Sequence, residues 1–285
     1  MLTGDGPYVE DRWHTRMLME STIVLIHGLV GHLNDPRIHA AFGEHRVVSP
    51  DLLGYGSFAR TTTAGLTLDQ QADHILRYLN ENHLNPAHLV GHSVGGAVAV
   101  LAAHANPDAV ATLTSVEGNF TPEDAFWSAS IAAMSDREVA RLFEGYRAEP
   151  AKWLEEAGLP LSDWTCSLAV SWLENQPPGT IKAQARAVVE STSKSDYLQA
   201  VDDLLDSDIP VSLVAGAQSA SGWNVPAWVR RRASNDIVVG GASHLLMAED
   251  PGAFADAVLE CCVGAREPNS TDQAKGRNRG ISPKH

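Results

Sequence analysis

At 285 residues and a formal net charge of −14, from 35 acidic against 21 basic side chains, the chain is long enough to bury a sizeable core and too acidic to suit nucleic acid or an anionic membrane surface. No apolar run approaches the roughly 20 residues of a membrane span, and Met1–Gly6 has no basic stretch leading into an apolar one, so neither membrane insertion nor secretion is expected. Cys166 and the adjacent Cys261 and Cys262 have neither disulfide-framework nor metal-ligand spacing, so a reducing, cytoplasmic setting without metal or cofactor is the expectation.

In chain order, Tyr8–Trp13 reads as an edge strand. Thr22–Ile26 is a continuous β-branched run, as a parallel strand covered on both faces requires, and it leads into the glycine-bearing loop from His27 to His32. Asn34-Asp35-Pro36 starts a helix with proline at its first position. Arg46–Pro50 is the next strand, left by the loop Asp51–Ser57. Thr67 and Gln70 have the form of a capping box, and the helix they open carries Ala72, Ile75, Leu76 and Leu79 on one stripe.

Ala87–Val90 is again a strand, introduced by Asn85-Pro86. It runs into Gly91-His92-Ser93-Val94-Gly95 and then into a small-residue helix over 94–105. Gly91 and Gly95 flank Ser93 where a side chain would clash in a sharp turn, so the serine hydroxyl can project from a strained backbone. The positive end of the following helix faces the same spot. Strands at Ala111–Val116, Ile209–Gly216 and Asp236–Val239 complete the set, with helices at 225–233 and 251–262. Alternation of this kind means βαβ units in a parallel sheet, with binding sites beyond the carboxyl ends of the strands.

Between the strands, 120–207 is almost wholly helical and is divided at Pro150, at Gly158-Leu159-Pro160 and at Pro177-Pro178-Gly179. The expected organisation is a core over 1–118, a helical cap over 119–207, the rest of the core over 208–263 and a disordered tail over 264–285.

Four signatures occur together and in order. They are His27-Gly28, Asp51-Leu52-Leu53-Gly54-Tyr55-Gly56, Gly91-His92-Ser93-Val94-Gly95, and Gly240 through His244 followed by Glu249-Asp250-Pro251. Over roughly 22–262 the chain resembles the α/β-hydrolase fold family, which implies a mostly parallel, doubly wound α/β sheet with an inserted helical cap. The resemblance makes Ser93 the nucleophile and His244 the base that takes and returns its proton. It supplies the oxyanion donors from the backbone N–H groups of Leu29 and Val94. Haloalkane dehalogenases and epoxide hydrolases of the fold use aspartate at the elbow, so serine at 93 argues against both.

The acid departs from the commonest pattern. In most relatives it follows the strand after the cap, but here that loop, Gly216-Ala217-Gln218-Ser219-Ala220-Ser221-Gly222-Trp223, has no carboxylate. An imidazole that must become imidazolium needs an acidic partner. Glu117, at the carboxyl end of the strand after the elbow helix, is the candidate, an arrangement that resembles certain dehalogenases and lactonases of the fold. Asp124, read as lying inside the first cap helix, and Asp236, at the wrong end of its strand, are its rivals.

Asp51 is expected to pin its own loop, and His27 to brace its loop with a possible place at the substrate. His92, Trp127 and Trp223 are the further pocket candidates. Trp127, Trp153, Trp164 and Trp172 are expected to hold the cap helices together, with one or two of them lining an apolar pocket.

These residues lead to a cofactor-independent serine hydrolase acting on a small-molecule ester, lactone or thioester. A C–C bond hydrolase or hydroxynitrile-type lyase on the same site stays open, as does a ligand-sensing protein without turnover. Fold alone does not choose among them.

Overall fold

The computed structural model describes residues 21–263; the strand expected over Tyr8–Trp13 and the tail expected over 264–285 lie outside the described residues. Strand β1 (Ile23–Ile26) is buried at every position, as its unbroken apolar run demands. Asp35 caps α1 (Pro36–Ala40) by accepting from the Arg37 and Ile38 amides at 2.8 and 3.3 Å. The short β2 (Val47–Val48) follows. Both halves of the Thr67/Gln70 box then form at the start of α2 (Leu68–Glu81), which buries Ala72, Ile75 and Leu79.

Strand β3 (Ala87–His92), helix α3 (Val94–Ala105) and strand β4 (Val110–Val116) are followed by six helices. These are α4 (Phe126–Ala133), α5 (Asp136–Ala148), α6 (Pro150–Glu156), α7 (Asp163–Glu174), α8 (Pro178–Thr192) and α9 (Ser195–Asp206). The chain returns to the sheet as β5 (Val211–Gly216), α10 (Ala227–Arg232), β6 (Asn235–Val239), α11 (Leu246–Glu249) and α12 (Pro251–Val263).

Among the described residues the sheet has six strands in the order β2-β1-β3-β4-β5-β6, all parallel. Successive side chains of β4 face opposite layers. Thr112 and Thr114 meet Cys262 and Cys261 of α12, whereas the Ser115 hydroxyl lies against Gly96 of α3. This is the doubly wound α/β fold with helices on both faces.

The helical insertion ends one helix earlier than expected. Helix α9 packs along α3 and against α10, and the Arg232 guanidinium holds Asp202 and Asp206 of α9, each at 2.5 Å. It belongs to the layer flanking the sheet rather than to the cap read over 119–207. The break between α8 and α9 is only Ser193 and Lys194, with no proline or glycine to mark the change of layer. The other breaks fall at the expected punctuation, with Pro150 and Pro178 as first residues of α6 and α8.

Two glycines hold the β3–α3 turn against the end of β1. A Cβ on Gly95 would run into the carbonyl oxygens of Ile26 and His27, and one on Gly91 into the carbonyl of Gly95. A Cβ on Gly145, in α5, would meet nothing within 4 Å. In urea denaturation, Gly95→Ala is therefore expected to destabilise by about 2 kcal/mol or more, while Gly145→Ala stabilises by about 0.5–1 kcal/mol. Equal effects of the two substitutions would refute this packing account.

Candidate active site

Ser93 occupies the residue between β3 and α3 with φ 53° and ψ −121°, a sparsely populated conformation that costs on the order of 1–3 kcal/mol. Three backbone hydrogen bonds hold it there. Its N–H donates to the Val116 carbonyl at 3.0 Å, and its carbonyl accepts from Gly96 at 2.9 Å and from Asn119 at 3.3 Å. The Ser93 side chain caps no helix amide, which leaves its hydroxyl free of that role.

Glu117, just past β4, is a second non-glycine residue with positive φ, 44°, fixed by its N–H bond to the Val214 carbonyl at 3.0 Å. Its carboxylate is buried, 5% exposed, and each oxygen is engaged. Oε2 accepts from His244 Nδ1 at 2.7 Å; Oε1 accepts from the Gly216 N–H at 2.8 Å and from the Ser219 hydroxyl at 2.5 Å. Burial pushes this carboxyl upward, but the bond and charge of His244, with the Ser219 and Gly216 donors, outweigh it and hold the group below its ordinary value. An ionised carboxylate only accepts, so His244 carries its proton on Nδ1 and turns Nε2 away from Glu117.

His244 lies on the loop after β6. The preceding Ser243 bonds Glu249 through both its N–H, at 3.0 Å to each carboxylate oxygen, and its hydroxyl. The His244 carbonyl accepts from His92 Nε2 at 2.9 Å, and the two rings stand 4.7 Å apart. Burial, reinforced by the neighbouring His244, lowers His92 to about 3, so it is a neutral ring that braces the His244 loop.

His27 does not reach the pocket. It is buried beneath the loop, where Nδ1 donates to the Gly28 carbonyl at 2.9 Å and Nε2 accepts from the Leu52 N–H at 3.3 Å. Burial lowers its pKa to about 4. With both nitrogens committed to backbone, it braces two loops and has no substrate face.

The rival acids are also committed elsewhere. Asp124 precedes α4 instead of lying inside it, and accepts from the amides of Phe120 at 3.0 Å, Thr121 at 3.2 Å and Asn224 at 2.5 Å. Asp236 pairs with Arg230 at 2.9 Å. Asp51 pins its own loop through the Ser57 N–H and hydroxyl, each at 2.9 Å.

The amides of Leu29 and Val94 donate to no other described residue. The Leu29 peptide is nevertheless rigid. Its carbonyl accepts from the Tyr55 hydroxyl at 2.8 Å, and Gly31 donates to Gln176 Oε1 at 3.0 Å while accepting from Asn175 Nδ2 at 2.8 Å. Gln176 and Asn175 come from the end of α7, so the insertion itself holds this loop.

Ser93, His244 and Leu29 open onto one cavity of about 580 Å³. Trp127, Trp153 and Trp172 of the insertion line it, as does Trp223, whose Nε1 donates to the Gly118 carbonyl at 2.7 Å. Trp164 does not; its Nε1 points to the Asp35 carboxylate at 3.3 and 3.4 Å and fastens the insertion to the core. Sequence reasoning also missed Ser219, Asn119 and Gln176, because isolated polar residues in loops carry no spacing signal. Among the described residues no group of three or more His, Cys, Asp or Glu side chains could hold a metal ion, and no helix is long and apolar enough to cross a membrane.

Fold and site thus converge on a known architecture. The model of the alpha/beta hydrolase family matches residues 23–257, and the chain belongs to that family. It is similar to the dihydrolipoyllysine-residue acetyltransferase component of the acetoin cleaving system of Pseudomonas putida, 38% identical over 94 residues, covering 32% of this chain and 25% of that protein. It is also similar to Lipase 3 of Moraxella sp. (strain TA144), 32% identical over 111 residues, covering 38% of this chain and 34% of the lipase. The chain therefore matches only a quarter to a third of the length of these curated relatives. A thermophilic esterase from Thermogutta terrifontis superimposes with a TM-score of 0.58 at 21% identity, covering 84% of this chain and 88% of that one, a likeness of fold.

The buried histidines set an acid limit on stability. His27 and His92 titrate near 4 and 3 in the folded chain, against 6.5 when exposed. Between those values the unfolded chain binds more protons, so stability is full above about pH 6.5 and falls as pH drops, by at most about 1.4 kcal/mol per pH unit for each ring. The melting temperature is expected to decline from pH 6.5 to pH 4.5 and to decline less steeply in His27→Gln. A flat profile in the unsubstituted protein would contradict the two buried neutral rings.

Proposed function

We propose that the chain is a cofactor-independent serine hydrolase that cleaves a small ester, lactone or thioester with an apolar or aromatic moiety through an acyl-enzyme. The observation that carries this reading is the 2.7 Å bond from His244 to the buried Glu117, on a wall of the cavity that also holds the strained Ser93. His244 Nε2 takes the Ser93 proton as Oγ attacks the carbonyl carbon. The developing oxyanion is received by the amides of Leu29 and Val94. Collapse of the tetrahedral intermediate breaks the bond to the leaving group, which takes the proton from His244. Water then enters by the same steps in reverse and frees the acid. Glu117 stays ionised throughout, fixing the imidazole and balancing the imidazolium. The similarity to Lipase 3 supports ester cleavage over the lyase alternative.

The cavity wall also speaks to substrate charge. Among the described residues it includes Glu117, Asp124 and Glu156 but no lysine or arginine, and Trp127, Trp153, Trp172 and Trp223 line it. A carboxylate on the substrate would be desolvated there without a cation to meet it. An uncharged aromatic ester fits.

A fluorophosphonate probe is expected to label Ser93, to leave Ser93→Ala unlabelled, and to react slowly with Glu117→Gln, whose ester hydrolysis falls by about 10³–10⁴-fold in kcat. Undiminished labelling in Ser93→Ala, or full activity in Glu117→Gln, would overturn the assignment. With matched aryl esters, kcat/KM is expected to favour phenylacetate over the charged monosuccinate by about tenfold or more. A preference for the succinate would overturn the account of the cavity.

A further inference from the structure

Asn119 has no part in the chemistry described above, yet it is anchored directly to the nucleophile. Its N–H donates to the Ser93 carbonyl at 3.3 Å, and its carbonyl accepts from the Tyr197 hydroxyl at 2.7 Å. Both bonds use its backbone. They fix where the residue sits and leave its side chain uncommitted.

Asn119 is one of the residues that line the cavity, and it is only 4% exposed. Among the described residues its buried carboxamide oxygen has no hydrogen-bond partner, and its NH2 group bonds to none. Protein interiors leave few polar groups in this condition, and an unpaired one in a binding cavity points to a ligand. The neighbouring carboxylates contrast with it. Asp124 is filled by three backbone amides, and Glu117 by His244, Ser219 and Gly216. The Asn119 carboxamide is thus buried and unpaired among the described residues, in a residue of the cavity wall whose backbone N–H binds the Ser93 carbonyl.

A carboxamide both donates and accepts and carries no charge. Its complement is an uncharged group that also does both, a hydroxyl or a secondary amide. We propose that Asn119 is a specificity-determining residue whose carboxamide binds a hydroxyl or secondary amide on the carbon adjoining the scissile carbonyl of the substrate. The substrate then has two sides, an apolar one against the tryptophans and a polar one against Asn119. This rests on the hydrolase reading and adds the substrate feature that the reading leaves open.

The test compares the p-nitrophenyl esters of phenylacetate, mandelate and hippurate, which carry hydrogen, hydroxyl and amide in turn next to the ester carbonyl. Each kcat/KM is divided by the rate of alkaline hydrolysis to remove intrinsic reactivity. The enzyme is expected to favour mandelate or hippurate over phenylacetate by about tenfold or more, and Asn119→Leu to lose that preference. Asn119→Ser serves as a second variant, with thermal melting to show that each is folded. Because the readout is a ratio, general damage to the site scales all three esters and does not imitate the result. An unchanged ratio in both variants, or no preference in the unsubstituted enzyme, would overturn the assignment and leave Asn119 with water alone. If none of the three esters is hydrolysed and Ser93 resists the fluorophosphonate, the hydrolase reading itself falls, and this inference with it.

Discussion

A carboxylate taken out of water has to be met by donors, and Glu117 is met by three, from two stretches that are far apart in sequence. Its oxygens accept from Gly216 at the end of β5, from Ser219 in the loop that follows and from His244 of the loop after β6, while its own backbone rides on the end of β4. The carboxylate therefore fixes three adjacent strand ends in one arrangement. Losing any donor would leave part of a buried charge uncompensated, so the position tolerates little change. The same bonds keep the group ionised and orient the imidazole toward the cavity.

The rest of the site is rigid for related reasons. Ser93 and Glu117 both hold positive φ, a cost that persists only where surrounding bonds fix the backbone. The Ser93 carbonyl accepts from Gly96 and Asn119, and its N–H binds Val116, so strand, turn and helix share one network. His92 and Glu249 brace the His244 loop from two directions. Gln176 and Asn175, at the end of α7, do the same for the Leu29 loop. The insertion thereby forms both the apolar wall of the cavity and part of the scaffold of the candidate oxyanion donors. This preorganisation is what electrostatic stabilisation of a transition state requires.

Much of this was legible in the sequence because it rests on local rules. The unbroken apolar run of β1, the Thr67/Gln70 box and the glycines around Ser93 each answer to a steric or hydrogen-bonding requirement that short stretches of chain reveal. Glu117 reads as the candidate acid from its place at the carboxyl end of β4 and from the absence of a carboxylate in the loop 216–223. That loop meets the acid instead with a backbone amide and the Ser219 hydroxyl, a pairing across 102 residues that no spacing announces. The end of the insertion was misjudged because α8 and α9 are separated by two ordinary residues, and tertiary packing alone assigns α9 to the layer beside α3. His27 reads first as a brace for its loop and second as a pocket residue; its ring turns inward to two backbone groups and does not line the cavity. Asn119 carried no signal, since its importance lies in what its side chain does not bond.

The account depends on Glu117 holding His244 in one protonation form, with the proton on Nδ1 and Nε2 bare. Nitrogen-15 NMR of the histidine side chains, with His244 assigned by substitution, reads this directly in the neutral ring. A protonated Nδ1 and a bare Nε2 in the unsubstituted protein, with that bias lost in Glu117→Gln, is the expected result. A His244 that carries its proton on Nε2, or whose tautomer ignores Glu117→Gln, would contradict it.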